Sequence, residues 1–539
     1  MHPATHILLT GSERIAMPGS HLLGRTDPDE HIDITVKVRR AHPLPDLSCR
    51  PDDVLGRDDF TERYGAASGD LQAVVDALGC YGLNLTAMNG TTRTVRLAGP
   101  SSAMEAAFAT QLADYAHPSG RFRGRLGPLA IPRELDGIVE GVFGLDTRRV
   151  VKRRWQAMKH LDDARDTAAS RDWFYPGEVA SAYQFPHGDG KGQIVALLEF
   201  GGGYFSRDLT EFCRETGIPV PTVIPQSIDA TPTNRRDGAQ SEVMLDIEII
   251  AGLCPAATIP VYFGAGTEQG WVDAFDAALH NPDYPAHVIS ISWGNSEDHG
   301  AWTPMAIRVI NDSLMEAALL GVTVCAASGD DGSDDQVGDG LAHADFPAAS
   351  PYVLAVGGTR LARRDGGFEE TAWMEGIGLR QRGGGCTGGG VSRLFACPPW
   401  QQDVAVESVN PGAGTGRCVP DVAANASLDT GYFIVVDGKR GISGGTSAAA
   451  PVWAALVARV NQQLGGMETV GYLTPLLYQH TAGGQTLGAL GCHEITRGNN
   501  ITATAGGYAA GPGYNAVAGW GSPMGLSLLS VLRPALGHH

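Results

Sequence analysis

Between residues 193 and 357 the sequence alternates short apolar segments with longer amphipathic ones, and this alternation constrains the fold more than any other feature. The apolar segments predict buried strands at 193–200, 258–263, 287–293, 323–328 and 353–357. The intervening segments predict helices at 205–216, 241–251, 269–280 and 304–321. Such an alternation is typical of a parallel, doubly wound α/β sheet. Ligands bind such sheets at the carboxyl ends of the strands.

Residues 1–148 predict a separate α+β unit. A strand is predicted at 32–38 and a helix at 69–82, followed by two strands at 84–88 and 92–97 around the Asn89-Gly90 turn. A second helix is predicted at 101–110, and an extended segment and a helix at 132–143 close the unit. The order β-α-β-β-α-β is the split βαβ, or ferredoxin-like, arrangement.

A charged segment separates this unit from the rest of the chain. Its first part is basic and its second part mainly acidic, from Arg148, Arg149, Lys152, Arg153, Arg154 and Lys159 to Asp162, Asp163, Arg165 and Asp166. This composition is typical of a solvated helix or a linker, and exposed linkers are common sites of proteolysis. A chain of 539 residues is too long to fold around a single hydrophobic core. We therefore predict an N-terminal domain at 1–148, a linker with a processing region at 149–172, and a large domain at 173–539.

Charge and cysteine content exclude several classes of protein. The net charge of −19 argues against nucleic acid or an anionic membrane as a partner. No secretory signal is visible, and no segment approaches the roughly 20 apolar residues of a membrane-spanning helix, so a soluble protein is expected. A monomer is expected as well. The nine cysteines show no zinc-ligand spacing, and Cys386 and Cys397 are the nearest pair for a single bridge.

Residues 444–451 read Gly-Gly-Thr-Ser-Ala-Ala-Ala-Pro and precede an apolar helical segment. They place Ser447 in a glycine turn at a helix N-terminus, where the helix dipole favours developing negative charge. Serine and threonine are also ordinary helix caps, but the full string with Pro451 is a serine-peptidase signature. It predicts Ser447 as the nucleophile of an acyl transfer.

The usual base for such a serine is histidine, but no His-Gly-Thr-His-type segment occurs. Glu242 and Asp246 stand out instead, because residues four apart share one face of a helix that is otherwise nearly all apolar. A solvent-facing pair is one interpretation. If the pair is buried, it would share a proton and could serve as base and acid in an acidic medium. Glu248 lies off that face and is interpreted as a surface residue or a helix neighbour.

A third acidic position, Asp330, directly follows the predicted strand at 323–328. A protonated carboxyl at a strand end could donate a hydrogen bond to an oxyanion, an effect typically worth ~10² to 10³ in rate. A turn or a calcium loop is the alternative, given the nearby Asp334, Asp335 and Asp339. The EF-hand spacing is not met, so a turn is favoured for the later aspartates.

These motifs, in this order, resemble the sedolisin, or serine-carboxyl peptidase, family, and in particular its kumamolisin branch. They are the Glu242/Asp246 pair, the segment 328–332 (Ser-Gly-Asp-Asp-Gly) and the segment 443–451 (Ser-Gly-Gly-Thr-Ser-Ala-Ala-Ala-Pro), with further matching stretches at 198–204, 290–294, 345–352 and 388–392. The resemblance extends to the N-terminal unit, which looks like the family's propeptide domain. It implies a subtilisin-like catalytic domain with a site adapted to acid.

The resemblance implies a role for each of four residues. Ser447 would be the nucleophile, Glu242 its general base and acid, and Asp246 the residue that orients Glu242 and shares its charge. Asp330 would form the oxyanion hole with the backbone amide of Ser447.

Three further positions take their roles from the resemblance alone. Glu199 and Trp293 match residues that extend the hydrogen-bond network behind the catalytic glutamate in the kumamolisin branch. Asp345 matches a position that lines the substrate pocket, which implies basic or polar side chains near the scissile bond.

The family's calcium site is altered in this sequence. That site uses an Asp-Ile pair, glycine carbonyls and a second aspartate, and the matching residues here are Glu494, Ile495, Gly511, Gly513 and Asn515. Both aspartates are replaced, so bound calcium is doubtful, although glutamate and asparagine can still ligate through oxygen. Tyr514, Arg497 or a hydrogen-bond network could substitute structurally.

We therefore expect an acid-active serine-carboxyl endopeptidase that acts on peptides or proteins. Its propeptide would inhibit it intramolecularly and would be removed autocatalytically at low pH, and the enzyme is expected in a secreted or acidic extracellular setting. A non-catalytic binding scaffold would leave the intact catalytic set unexplained. A carboxylate-pair glycosidase needs carboxyls that flank the scissile bond, whereas a pair four residues apart on one helix lies on one side of any substrate.

Overall fold

The computed structural model of the protein describes residues 5–51, 54–153, 158–161, 171–376, 384–465 and 469–537. The N-terminal domain contains helices α1 (Arg57–Tyr64), α2 (Ser68–Gly79) and α3 (Ser101–Ala107). Its strands are β1 (His6–Leu8), β2 (His21–Arg25), β3 (His31–Val38), β4 (Asn84–Asn89), β5 (Thr94–Pro100), β6 (Ala113–His117), β7 (Gly120–Gly124), β8 (Ala130–Pro132) and β9 (Val139–Phe143).

The central sheet of this domain has the strand order β4-β5-β3-β9, and all its neighbours are antiparallel. With α2 and α3 this is the predicted split βαβ arrangement, into which the β6-β7 hairpin is inserted. The predicted helix at 132–143 is wrong, because a short 3-10 turn at Arg133–Leu135 is followed by strand β9. Val139 and Val142 favour a strand, and pairing with β3 fixes it there.

Two short strands of the linker pair with the large domain. They are β10 (Lys152–Arg153) and β11 (Lys159–His160). The rest of the predicted processing region, residues 154–157 and 162–170, lies outside the described residues.

The large domain follows the predicted alternation of strands and helices. Its helices are α4 (Pro176–Ala182), α5 (Ser206–Thr216), α6 (Gln240–Leu253), α7 (Glu268–His280), α8 (Pro304–Leu319), α9 (Thr446–Gln463), α10 (Thr474–Leu477), α11 (Leu487–Gly491) and α12 (Gly525–Ala535). Its strands are β12 (Val195–Glu199), β13 (Thr222–Ser227), β14 (Thr258–Phe263), β15 (Val288–Ile291), β16 (Trp293–Ser296), β17 (Thr323–Ala327), β18 (Asp345–Phe346), β19 (Leu354–Arg364), β20 (Gly367–Ala372), β21 (Gly390–Val391), β22 (Cys418–Val419), β23 (Val422–Asn425), β24 (Tyr432–Val436), β25 (Lys439–Ser443), β26 (Cys492–His493) and β27 (Ser522–Pro523).

The main sheet has the order β13-β14-β12-β15-β17-β19-β20, and β23 also pairs with β19. All of these pairings are parallel except that of β20, which runs antiparallel at one edge. The five predicted strands and four predicted helices are all present, which confirms the doubly wound fold. Helix α9 is buried nearly all round, as expected of an apolar helix in the middle of a large domain.

The N-terminal domain packs against α7 and α8 of the large domain. One hydrophobic cluster runs across the contact and includes Val36 and Leu97 on one side and Trp271 and Ile310 on the other. The two domains therefore share a continuous apolar core.

Charged side chains are buried within the same contact. Lys37 of β3 is fully buried, with Nζ 2.5 Å from Asp276 Oδ2 on α7. Glu316 on α8 forms an ion pair with Arg40 through its Oε1 atom. The Nη2 atom of Arg93 lies 3.6 Å from the same oxygen. His280 of α7 contacts the second oxygen of Glu316 at 3.0 Å. These buried pairs make the docking specific, because an unpaired buried charge is costly.

All nine cysteines are free, so the bridge considered for Cys386 and Cys397 is absent in the described structure. Within the described ranges, no helix combines the length and the hydropathy that a membrane crossing needs.

Candidate active site

Ser447 lies in the first turn of α9, immediately after the β24-β25 hairpin. The turn depends on Gly445, whose φ of 103° is a conformation that L side chains rarely adopt. Ser447 is fully buried, and its Oγ donates a hydrogen bond to Ser292 O at 3.3 Å. The long distance indicates a weakly held hydroxyl.

Pro451 determines what happens to the carbonyl of Ser447. A proline inside a helix has no N–H to donate to the residue four positions earlier. The carbonyl oxygen of Ser447 instead lies 3.3 Å from the hydroxyl of Ser292, whose main acceptor is Asp246 Oδ2 at 2.6 Å. Ser292 thus connects the turn of the serine to the acidic helix α6.

Glu242 and Asp246 lie on one face of α6 and are both fully buried, as the sequence allowed for a catalytic pair. Neither carboxyl oxygen of Glu242 has a hydrogen bond of standard geometry to the described residues. Burial, and secondarily the charge of Asp246, raise the pKa of Glu242 well above its usual range, against a weaker opposing interaction with the Ser447 hydroxyl. Burial also raises the pKa of Asp246, and the Ser292 hydrogen bond opposes that shift.

A second carboxyl lies behind this pair. Glu199 is the last residue of β12, and its Oε2 accepts a hydrogen bond of 2.9 Å from Trp293 Nε1. Burial and the charge of Asp246 raise the pKa of Glu199, and the charge of Glu199 in turn raises the pKa of Glu242. The Arg149 guanidinium stacks over the Trp293 ring at 5.2 Å and donates to Phe200 O at 2.8 Å.

Asp330 reaches the same site from the carboxyl end of β17. Its Oδ1 accepts two hydrogen bonds from Thr446, one from the backbone N at 2.8 Å and one from Oγ1 at 2.7 Å. Thr446 Oγ1 in turn accepts from Gly329 N at 3.2 Å. Thr446, the residue before Ser447, therefore holds Asp330 in place.

Asp345 packs against the strand next to the site. It begins β18, which pairs with β16, and a β-carbon on Gly294 would lie only 2.1 Å from Asp345 Oδ1. Only glycine fits at position 294, so the carboxyl lies directly against the backbone of β16. On that strand Gly294 is opposite Lys152 of the linker.

The linker strands pair with two strands that adjoin the site. β10 pairs antiparallel with β16, which begins one residue after Ser292. β11 pairs antiparallel with β25, which ends four residues before Ser447. Peptide segments commonly bind by adding a strand in this way, so the chain's own linker occupies the position of an extended peptide.

The structure brings together all the predicted catalytic and supporting residues, namely Ser447, Glu242, Asp246, Asp330, Glu199, Trp293 and Asp345. Two contributors were missed: Ser292 and Thr446 were noticed only as parts of matching segments. The surface interpretation of Glu248 is wrong, because it is fully buried and its Oε2 accepts from Val435 N at 2.8 Å. Glu248 does contact a neighbouring element, strand β24.

The residues matched to the calcium site also come together, but not as a metal centre. Asn515 Nδ2, a donor, lies 3.2 Å from Ile495 O and 3.1 Å from Gly511 O. Gly513 N donates to Glu494 Oε1. A cation needs oxygen atoms directed at it, whereas an N–H group occupies the centre of this loop, so the residues present do not fit calcium. Elsewhere among the described residues, no group of three or more His, Cys, Asp or Glu could hold a metal.

Comparison with known families agrees with this geometry. Residues 231–521 match the subtilase family, and residues 49–148 match the pro-kumamolisin activation domain. The fold and the site thus define a subtilisin-like peptidase preceded by its own activation domain.

Similar individual proteins show to which family of subtilisin-like peptidases the chain belongs. Kumamolisin of Bacillus sp. (strain MN-32) is 42% identical over 98% of this chain and 96% of its own length. Sedolisin of Pseudomonas sp. (strain 101) is 27% identical over 93% of this chain and 86% of its own. The structure of Pseudomonas sedolisin, a serine-carboxyl proteinase complexed with two molecules of pseudo-iodotyrostatin, superposes with a TM-score of 0.57 at 27% identity, over 68% of this chain and 99% of that chain. The chain belongs to the sedolisin family and is a kumamolisin-like proenzyme.

The family membership confirms the predicted fold class and the predicted activity of a serine-type endopeptidase made as a zymogen. The roles of individual residues and the domain boundaries at 148 and 172 stay predictions.

Proposed function

We propose that Ser447 carries out acid peptidase chemistry with carboxyls in the place of a histidine. Its hydroxyl attacks the scissile carbonyl carbon while Glu242 takes the hydroxyl proton. The C–N bond then breaks as Glu242 returns that proton to the leaving amine, which gives an acyl ester on Ser447. Water, deprotonated by Glu242, hydrolyses the ester and restores the serine.

Asp246 and Asp330 support the two charges that develop. Asp246, held by Ser292, orients Glu242 and shares its proton. A protonated Asp330 donates to the oxyanion together with the backbone N–H of Ser447, and the Thr446 donors to its Oδ1 keep it in place. Groups that must carry protons at work suit a low pH, so we propose that the enzyme acts in an acidic extracellular space.

The observation that carries the proposal is the convergence of Ser447 with buried carboxyls from three different elements, α6, β12 and the loop after β17. The test is a proenzyme with Ser447→Ala, compared with the native chain after a shift to acid. The native chain should lose its N-terminal domain and cleave denatured protein, and the variant should do neither. A peptide aldehyde should inhibit the mature enzyme by trapping Ser447 as a hemiacetal. A variant that still processes itself would refute the role of Ser447.

The linker pairing also suggests where processing takes place. β10 pairs with the strand that follows Ser292, and β11 pairs with the strand that precedes Ser447, so we propose cleavage of a bond between Arg153 and Lys159. Lys152, which is opposite Gly294, would then lie on the acyl side, next to the carboxyl of Asp345. N-terminal sequencing of the acid product tests this, because a first residue outside 154–159 would contradict it.

A further inference from the structure

The C-terminal loop of this chain matches the loop that holds a calcium ion in the sedolisin family. In this chain a side-chain amide closes the loop. Asn515 is buried, and its Nδ2 donates to two carbonyls, Ile495 O at 3.2 Å and Gly511 O at 3.1 Å. These are the backbone positions that match the family's calcium loop. The two N–H bonds of one amide nitrogen therefore join the two sides of the loop.

The orientation of this amide follows from its partners. Asn515 Oδ1 accepts from two backbone N–H groups, Val517 N at 3.3 Å and Ala518 N at 3.0 Å. If the amide were flipped, its NH₂ group would face the two backbone N–H groups and its oxygen would face the two backbone carbonyls. Four contacts would become repulsive, so only one orientation is compatible with the loop.

An aspartate at position 515 would behave differently. Its second oxygen would face the oxygens of Ile495 and Gly511 at hydrogen-bond distance, with no proton between them. A cation between the three oxygens removes that repulsion, and calcium is bound by such carboxylate and carbonyl sets. Asparagine avoids this repulsion, because its Nδ2 atom donates two protons to the two carbonyl oxygens.

The other two candidates for a substitute have different partners. Arg497 pairs with Glu369. The hydroxyl of Tyr514 donates away from the loop, to Cys418 O at 2.9 Å and Pro420 O at 3.0 Å. Glu494 accepts from Gly513 N and is exposed. The amide of Asn515 is thus the group that bridges the two carbonyls.

We propose that Asn515 takes over the structural role of the calcium ion, so that the C-terminal loop of this protein folds and holds its shape without metal. The loop matters to the site because it supports the segment behind Asp330. Thr387 Oγ1 lies within 3.5 Å of Val517 O, and the next residue, Gly388, donates from its N to Gly329 O at 2.7 Å. A loop held by covalently attached N–H groups cannot lose its ligand in acid, whereas protonation of carboxylates releases calcium.

The test uses the full-length chain with Ser447→Ala, which cannot digest itself, at a pH where calcium and a chelator both act. Thermal unfolding is measured in EGTA and in millimolar calcium chloride, and calcium binding is measured directly by titration calorimetry. The chain should show the same Tm in both solutions and no binding heat. A Tm that falls in EGTA and recovers in calcium would overturn the proposal, whatever the variants do.

Two variants at the same position separate the amide from its surroundings. Asn515→Asp should unfold several degrees lower than the parent chain in EGTA and should regain Tm in calcium, because it restores an oxygen that needs a cation. Asn515→Ala should be lower in both solutions, because it removes the bridge without offering a ligand. An Asn515→Asp chain as stable in EGTA as its parent would show that the amide is not needed.

Discussion

Replacement of Glu316 by glutamine should loosen the N-terminal domain from the enzyme. Glu316 is fully buried on α8 and faces Arg40 and Arg93 of the N-terminal domain, with His280 on its own side. Burial alone would raise the pKa of Glu316, but Arg40, His280 and Arg93 together hold it well below its usual range. The carboxyl is therefore charged in the docked state, and neutral glutamine leaves the arginines without that charge.

The size of the effect follows from how the two arginines are paired. Removal of one partner of a buried ion pair costs about 3–5 kcal/mol. Arg93 keeps a second carboxylate, Glu140 at 2.6 Å within its own domain, so the cost through Arg93 is reduced. We expect the low end of the range, about 3 kcal/mol. This corresponds to a roughly 150-fold lower affinity of the enzyme domain for the N-terminal domain.

The assay compares proenzymes at a series of pH values, with processing followed on gels and activity followed with a peptide substrate. Glu316→Gln should be processed faster and at a higher pH than the native chain. Glu248→Gln is the matched control, because Glu248 is equally buried but bonds Val435 inside the enzyme domain. If both variants activate over the native pH range, a buried carboxylate at this contact does not govern release and the reasoning is refuted.

Three further outcomes are expected. Ser292→Ala removes the 2.6 Å hydrogen bond to Asp246, so kcat/KM of the mature enzyme should fall about 10- to 150-fold, as for loss of a charged hydrogen bond worth ~1.5–3 kcal/mol; an unchanged pH profile of kcat would contradict a positioning role. Gly294→Ala places a carbon against Asp345 and should raise KM for peptides, with kcat as the control measurement. Trp293→Phe removes the hydrogen bond that lowers the pKa of Glu199, so the alkaline limit of activity should move upward, as pH–rate profiles will show.

The main sheet could be predicted because its strands are buried on both faces. Strands such as β12, β14 and β17 are mainly apolar and almost entirely buried, and this pattern distinguishes them from the amphipathic helices between them. Strand β13 is only half-buried and contains Pro225, and β20 carries Glu369 and Glu370, so neither has that pattern. The helix wrongly predicted at 132–143 shows the same limit, because β9 is defined by its partner β3 rather than by periodicity.

The site could be predicted as a set of residue types but not as a set of contacts. Ser447 and Glu242 carry chemistry that their sequence context reveals. The sequence context of Ser292 reveals no such chemistry. Its role depends on Pro451, which is far along the chain and leaves a carbonyl of α9 without a helical donor. The calcium loop is a similar case, because Asn515 could be seen to replace an aspartate, yet only the positions of the two carbonyls show what its amide does.

The two groups of buried carboxyls respond to acid in opposite directions. Glu316 has a lowered pKa when the domains are docked, so its contribution to docking is complete above the pKa of the undocked carboxyl and is lost as the pH falls through the docked value. Glu199, Glu242 and Asp246 have raised pKa values, so the folded enzyme binds their protons more tightly than the unfolded chain. Their contribution to stability is complete below the unfolded values and declines as the pH rises toward the folded ones.

Acid should therefore remove the contribution of Glu316 to the contact between the domains while it stabilises the enzyme that is released. Thermal unfolding of the mature enzyme should show a Tm that falls from acidic toward neutral pH. Size-exclusion chromatography of a Ser447→Ala chain nicked in the linker should show the N-terminal domain dissociating as the pH drops below about 4.5, the unshifted value for Glu316. A nicked complex that survives acid, or a mature enzyme most stable at neutral pH, would contradict the assignment of these two groups to opposite roles.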